Sequence, residues 1–289
     1  MNLQFQRLIQ LAGGVCALSI LAGCSTVDST SATSFGSAAT ATGEQADTAF
    51  AQINTLTSQS IIENASQQPT LSSKNFYQVV PSEEIGRWDS AFAAMAAYAQ
   101  SLTTLSTTSN SESNANAIGG LARTIESQTQ SKSLPGISSA FVSVAGALEK
   151  AKFGHDAYEV AVATDPDIQR VVQCMADAIG VSNKTGLRGT VWANYQSFVM
   201  APLQVNFLSA PSPDKLTLAK QFSTILDQRN AADLQLASLR ASIIALGNAH
   251  HAIVTKSSID FTTALATITQ QLSLAQKTYS EVKGTPTGK

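Results

Sequence analysis

Cysteine, aromatic residues and charged residues are all scarce in this chain of 289 residues. It has three cysteines, 6% aromatic residues and 13% charged residues. Three cysteines cannot supply the disulfide framework of a small secreted domain. The net charge of −2 provides no basic footprint of the kind that binds nucleic acid. A hydrophobic content of 44% is nevertheless enough for a sizeable buried core.

Recognisable catalytic patterns are missing as well. The chain has no Gly-x-Ser-x-Gly turn for a serine nucleophile and no Walker lysine for phosphate. The Glu-x-x-His spacing of helical di-iron proteins is also missing. The adjacent pair His250 and His251 lies in a predicted helix and has no evident acid partner. We therefore assign no catalytic residue and expect that the protein is not an enzyme.

The amino terminus carries the most specific pattern in the sequence. Arg7 precedes an almost uninterrupted apolar run from Leu8 to Ala22, which closes on Leu21-Ala22-Gly23-Cys24. A positive charge before a short apolar run is typical of a secretory signal peptide. The run is shorter than the roughly 20 residues that cross a bilayer as a helix. Its last four residues resemble the lipobox of bacterial lipoproteins, in which a small residue precedes a lipid-modified cysteine.

The lipoprotein resemblance implies an address and a covalent modification. It implies cleavage between Gly23 and Cys24, with diacylglycerol and an acyl chain such as palmitate on Cys24 and no other cofactor. Because Ser25 follows in place of aspartate, it implies sorting to the outer membrane, on the side that faces the periplasm. Several acyl chains hold a protein essentially permanently, since each buried methylene contributes about 0.8 kcal/mol. The alternative is an ordinary secretory signal that is cleaved nearby.

Composition divides the chain into four parts. Residues 1–23 form the signal peptide, and residues 24–43 are nearly all Ser, Thr, Ala and Gly, which predicts a flexible tether. Residues 44–283 are rich in Ala, Leu, Gln and Ile and predict a helical bundle. Residues 284–289 are expected to be a disordered tail.

Apolar residues of the third part recur in alternating steps of three and four, which indicates helices. The longest series runs from Leu218 to Ile253 and predicts a coiled-coil-like helix of roughly 60 Å. Ser257 and Asp260 are spaced as a capping box that restarts a helix, so a hairpin and a single rod both remain open. Asp165-Pro166 predicts the start of another helix. We predict an all-α, elongated up-and-down bundle of seven to eight helices.

Two histidines lie on predicted apolar stripes of different helices, and they are the candidate ligands. If those helices are neighbours, His155 and His250 could face each other, with Glu159 one turn from His155. Such a group could bind a metal ion or respond to pH, because histidine titrates near neutrality. The plainer interpretation is polar residues that are hydrogen-bonded within a seam. Cys174, the one thiol left after processing, is expected to be buried.

These observations favour a protein that acts through its surfaces. We predict a lipid-anchored periplasmic scaffold or adaptor of the cell envelope, with envelope proteins as partners, no nucleic acid and oligomerisation possible. The alternative is a ligand-binding or metal-binding helical module that uses a site near His155 and His250. The body also resembles all-helical envelope lipoproteins of Gram-negative bacteria, a resemblance that implies no mechanism.

Overall fold

A computed structural model describes residues 27–66, 69–107, 112–127, 134, 136–151 and 157–283. In these ranges all regular structure is helical, which confirms the predicted all-α class, with nine α-helices in place of seven or eight. They are α1 Ser29–Ser66, α2 Ser82–Thr107, α3 Glu112–Ser127, α4 Ile137–Ala151, α5 Ala157–Ile179, α6 Gly186–Tyr195, α7 Ala201–Ser209, α8 Ser212–Val254 and α9 Ser258–Lys283. A π-helical turn, Gln196–Met200, joins α6 to α7.

Neighbours in sequence are mostly neighbours in space. Helices α1 to α5 pack each against the next, and α8 lies between α5 and α1 and closes the ring. Helix α8 has 43 residues, a length of about 65 Å, and its predicted apolar stripe is buried from Ile225 to Ile253. Among the described helices, none is long and apolar enough to cross a bilayer.

Helices α8 and α9 form a hairpin, which decides between the two predicted arrangements. They turn at Thr255 and Lys256, and Lys256 has a φ of 56°. The Ser257 hydroxyl donates to a carboxylate oxygen of Asp260 at 2.6 Å and accepts from the Asp260 backbone N–H at 3.3 Å. One half of the predicted capping box is therefore present and starts α9. The reciprocal bond is not made, because the Ser257 backbone N–H donates to the Ala252 carbonyl at 2.9 Å.

Residues 29–43 are the first turns of α1, so the prediction of a flexible tether is wrong for them. Phe35 and Ala39 are fully buried. A Cβ on Gly36 would lie 3.0 Å from the Cβ of Ala99 on α2, which shows how closely the two helices approach. Small residues buried here need no wide apolar face of their own, because the facing helix comes near enough to cover them.

The predicted helix start at Asp165-Pro166 is also wrong, because α5 runs through Pro166. Proline removes one helical hydrogen bond, that of the Val162 carbonyl. Both Val162 and Pro166 are exposed, so water can satisfy the freed carbonyl. Burial of Ala161 on the opposite face favours the continuous helix. Cys174, further along α5, is only half-buried.

Contacts between helices define two ends of the bundle. At the end where α1 begins, Phe35 lies against His250 with ring centroids 5.6 Å apart, and the Tyr158 hydroxyl donates to the Val254 carbonyl. We call this the proximal end. At the other end, which we call the distal end, the Tyr77 hydroxyl donates to Asn194 at 2.7 Å, beside α6 and α7. Helix α8 spans the distance between them.

The burial of α1 gives a direct test. Replacing Phe35 with alanine should lower the free energy of unfolding by about 3–5 kcal/mol, because the cavity would lie in a closed core. Phe207 is 38% exposed, so Phe207→Ala serves as the control and should cost less than about 1 kcal/mol. Urea unfolding followed by circular dichroism measures both. Equal, small losses would contradict a packed α1.

Candidate functional site

The candidate site is a buried chain of hydrogen bonds that is centred on His250. The imidazole is fully buried on α8. Its Nε2 lies 2.8 Å from the Tyr98 hydroxyl on α2, and its Nδ1 lies 2.8 Å from one carboxylate oxygen of Asp165 on α5. The other oxygen of Asp165 lies 2.9 Å from Nδ1 of His251. One side chain thus joins three helices, and one carboxylate joins two histidines.

Further hydrogen bonds complete the network at both ends. The Tyr98 hydroxyl lies 2.6 Å from that of Thr164, which in turn donates to the Val160 carbonyl one turn back. Gln169 donates to Asp165 at 3.0 Å and to the Gly247 carbonyl at 2.9 Å. The buried polar atoms of the His250 network therefore have partners, as low-dielectric surroundings require.

The directions of the pKa shifts indicate which groups of the network carry a proton at neutral pH. Burial lowers the pKa of His250 from its ordinary 6.5, although the nearby Asp165 opposes this shift. Burial alone would raise the pKa of Asp165, but hydrogen bonds from His250, Gln169 and His251 outweigh it and hold that pKa well below the usual range. At neutral pH, His250 is neutral and Asp165 is ionised. The Nδ1–H therefore donates to Asp165, and Nε2 accepts from the Tyr98 hydroxyl. The single Thr164 hydroxyl proton is then shared between the Tyr98 oxygen and the Val160 carbonyl.

The same chain of atoms can accommodate a second proton. In a charged His250, Nε2–H would donate to Tyr98, Tyr98 to Thr164 and Thr164 to the Val160 carbonyl. The hydrogen-bond count does not fall on protonation. What opposes it is the desolvation of the charge in the core.

Burial limits the chemistry of this network. His250 and Tyr98 are fully buried and both imidazole nitrogens are hydrogen-bonded, so a substrate cannot reach them in this conformation. Contact with solvent runs through Asp165 and His251, whose side chains are 14% and 59% exposed. The arrangement connects three helices and reaches solvent only at one edge, so its buried imidazole is not placed to act as a general acid or base on a substrate.

Only part of the predicted ligand group lies within the described residues. Cys24, Gly23 and His155 lie outside the described residues, as does the predicted tail. Glu159 is exposed on α5, whereas His250 is fully buried. Within the described ranges, no three His, Cys, Asp or Glu side chains are placed to hold a metal ion.

The statement that the histidine pair lacks an acid partner is wrong, because Asp165 serves both residues. The partner lies 85 residues earlier in the chain. The sequence pattern predicts a different role for Asp165, that of a helix cap before Pro166, and predicts none for Tyr98. The one sequence signal for this network is a polar residue on an otherwise apolar stripe, and that residue is His250.

Comparison with protein-family models, with curated proteins and with solved structures finds no match.

Tyr98 and Tyr195 offer a matched pair of substitutions. Tyr98→Phe should lower the free energy of unfolding by about 1–3 kcal/mol, because it leaves Nε2 of His250 buried without a partner. Tyr195 is equally buried, but its hydroxyl has no hydrogen bond in the described structure. Tyr195→Phe should therefore change stability by less than about 0.5 kcal/mol, or raise it. Chemical denaturation measures the difference, and equal effects would argue against the network.

The network also predicts a pH dependence of stability. Because the pKa of His250 is lowered on folding, its contribution is fully present above the unfolded pKa of 6.5 and is lost as the pH falls below it. Asp165 follows the same sign, but only below about pH 4. In His250→Gln, the free energy of unfolding should fall less between pH 7 and pH 5 than in the parent protein. His251→Gln is the control and should keep most of the parental slope.

Proposed function

We propose that the protein is a lipid-anchored scaffold or adaptor of the cell envelope, held at the periplasmic face of the outer membrane by Cys24. The lipobox supports the anchor, and the absence of a membrane-spanning helix in the described part of the chain is consistent with it. Only four residues separate Cys24 from α1, and they reach at most about 15 Å. The proximal end would therefore lie close to the membrane, and the distal end about 60 Å further away.

The observation that carries the proposal is the apolar surface of the distal end. Eight of the fourteen large apolar side chains that are exposed in the described residues lie there. They are Ile62, Leu71, Phe76, Tyr77, Val205, Phe207, Leu208 and Leu216. Leu208 is 80% exposed and Leu216 is 64% exposed. Single exposed apolar residues are ordinary, but their concentration at one end is typical of a contact surface.

The distal end also differs from the proximal end in construction. In the described residues, helices α3 and α4 do not pack against α8, and residues 212–221 at the start of α8 are mostly exposed. The short helix α7 meets these first turns, where Lys215 lies over the Phe207 ring. Helix α6 lies beside later turns of α8, with Arg188 paired to Asp233, and contacts the α1–α2 connection through Asn194. Short helices that end in exposed leucines can accept a partner without disturbing the main core. We infer that protein partners bind at this end.

Photo-crosslinking in intact cells tests the partner surface. A photoreactive amino acid at Leu216 should capture one or a few discrete proteins, because this position would lie in the interface. The same residue at Ile259 is the control, since Ile259 is 78% exposed but lies beside the α8–α9 turn at the proximal end. Equal patterns from the two positions, or no adduct from Leu216, would contradict a distal contact.

Membrane fractionation and fatty-acid labelling of the same cells test the lipid anchor. Cys24→Ala should move the protein from the membrane fraction to the soluble fraction and abolish incorporation of a labelled fatty acid. Cys174→Ala, which removes the other cysteine of the mature chain, should change neither. Retention of Cys24→Ala in the membrane would overturn the lipid anchor without bearing on the distal surface.

A further inference from the structure

A groove of about 760 Å³ runs along the outer side of the α1–α2 pair. Its walls are made of small side chains. They include Gly36, Ser37, Thr40, Ala93, Ala96 and Ala97. The two helices approach closely here, since a Cβ on Gly43 would lie 3.0 Å from the Cβ of Phe92. The groove exists because small side chains predominate along the seam, although Phe92 and Gln100 also line it. Its volume is that of a ligand site.

Three carboxylates meet at one end of this groove. Glu44 and Asp47 come from α1 and Asp89 comes from α2, and all three line it. In the described structure none of them forms an ion pair. Partial burial, a hydrogen bond with Asp89 and the charges of Asp89 and Glu44 raise the pKa of Asp47 to about 7. Near neutral pH, Asp47 is thus partly protonated, at a position where a cation would be favoured.

The rest of the groove is polar without being charged. Thr33, Gln100 and Thr103 line its other end. The hydroxyls of Thr33 and Thr103 donate to carbonyls of their own helices and keep lone pairs that can accept hydrogen bonds. From Thr33 to Asp47 the groove follows fourteen residues of α1, about 21 Å. An extended peptide of about six residues has that length.

We propose that the α1–α2 groove binds an extended segment of a partner protein, with a lysine or arginine of that segment paired with Glu44, Asp47 and Asp89. The lining contains no basic residue, which disfavours an anionic ligand. Its carboxylates lie at one end only, which favours a chain with a single cationic end over a polyamine charged along its length. Within the described residues the acids do not form a metal-holding group, which favours an amine or guanidinium over a divalent cation.

This inference deepens the proposed function, because it names the chemistry of one contact that a scaffold would make. It rests on the groove and on neither the lipid nor the distal leucines. A lysine or arginine seated among three carboxylates gains charge-assisted hydrogen bonds. Binding would also displace the proton of Asp47, because a nearby cation favours the ionised carboxylate.

The test measures peptide binding to the full chain purified in detergent. The probes are two fluorescein-labelled hexapeptides of alternating alanine and serine, one with lysine at the first position and one with lysine at the last. Norleucine replaces lysine in the matched control peptides, which keeps the side-chain length and removes the charge. Fluorescence anisotropy should detect binding of at least one lysine peptide, at least tenfold tighter than its norleucine control. Binding should be tighter at pH 8 than at pH 6.

Variants assign the binding to the groove. Asp89→Asn should weaken binding of the lysine peptide at least tenfold. Ala93→Trp should weaken it as much, because the indole would fill the groove from an exposed position. Glu149→Gln and Val142→Trp make the same two kinds of change at exposed positions of α4 and should leave the affinity unchanged. Circular dichroism checks that all four remain helical.

Several outcomes would overturn the proposal. These are equal affinities for the lysine and norleucine peptides, no binding of either, and an affinity that Asp89→Asn and Ala93→Trp leave unchanged. Sedimentation could also show a dimer that Ala93→Trp abolishes. In that case the groove would be a contact between two copies, and the proposal would be overturned. A negative peptide result together with a crosslinked partner at Leu216 would reject the groove and leave the scaffold function standing.

Discussion

The hydrogen bonds of His250 are the interaction on which the arrangement of the helices depends. Apolar packing alone allows helices of small residues to slide and rotate, since many registers bury similar areas. A buried imidazole with partners on α2 and α5 permits one register, because any shift leaves a polar atom unpaired in the core. Phe35 of α1 packs on the same ring. Four helices that are far apart in sequence are thus positioned by one side chain.

Small residues make this arrangement possible and also create the groove. Gly36 and Gly43 bring α1 against α2 within contact of Ala99 and Phe92. That approach buries Phe35 and carries it to His250. On the outer side of the same seam, the absence of large side chains leaves an open channel. The packing of α1 and the proposed peptide groove therefore have a common cause. Enlarging groove-facing residues other than Gly36 and Gly43 need not disturb the inner face.

The sequence predicted features that depend on local order and missed those that depend on distant partners. The stripe along α8 and the cap that the Ser257 hydroxyl makes with the Asp260 backbone N–H follow from spacing within one helix, and both are present. The burial of α1 was missed because its small residues become a core only when α2 covers them. Local spacing predicts a helix cap at Asp165, because its actual partners follow 85 and 86 residues later in the chain. No local rule connects such positions.

The two titratable centres respond to acid in opposite ways. As the pH falls from 7 to 5, the lowered pKa of His250 makes the folded state less favourable relative to the unfolded state. Asp47 acts with the other sign, because its pKa is raised to about 7 on folding, so the folded state takes up a proton that the unfolded chain does not yet bind. The two contributions partly cancel in the stability of the bundle. They do not cancel at the groove, where protonation of Asp47 removes a charge that a bound lysine would need. Mild acidification would therefore release a cationic segment while leaving the helical body folded.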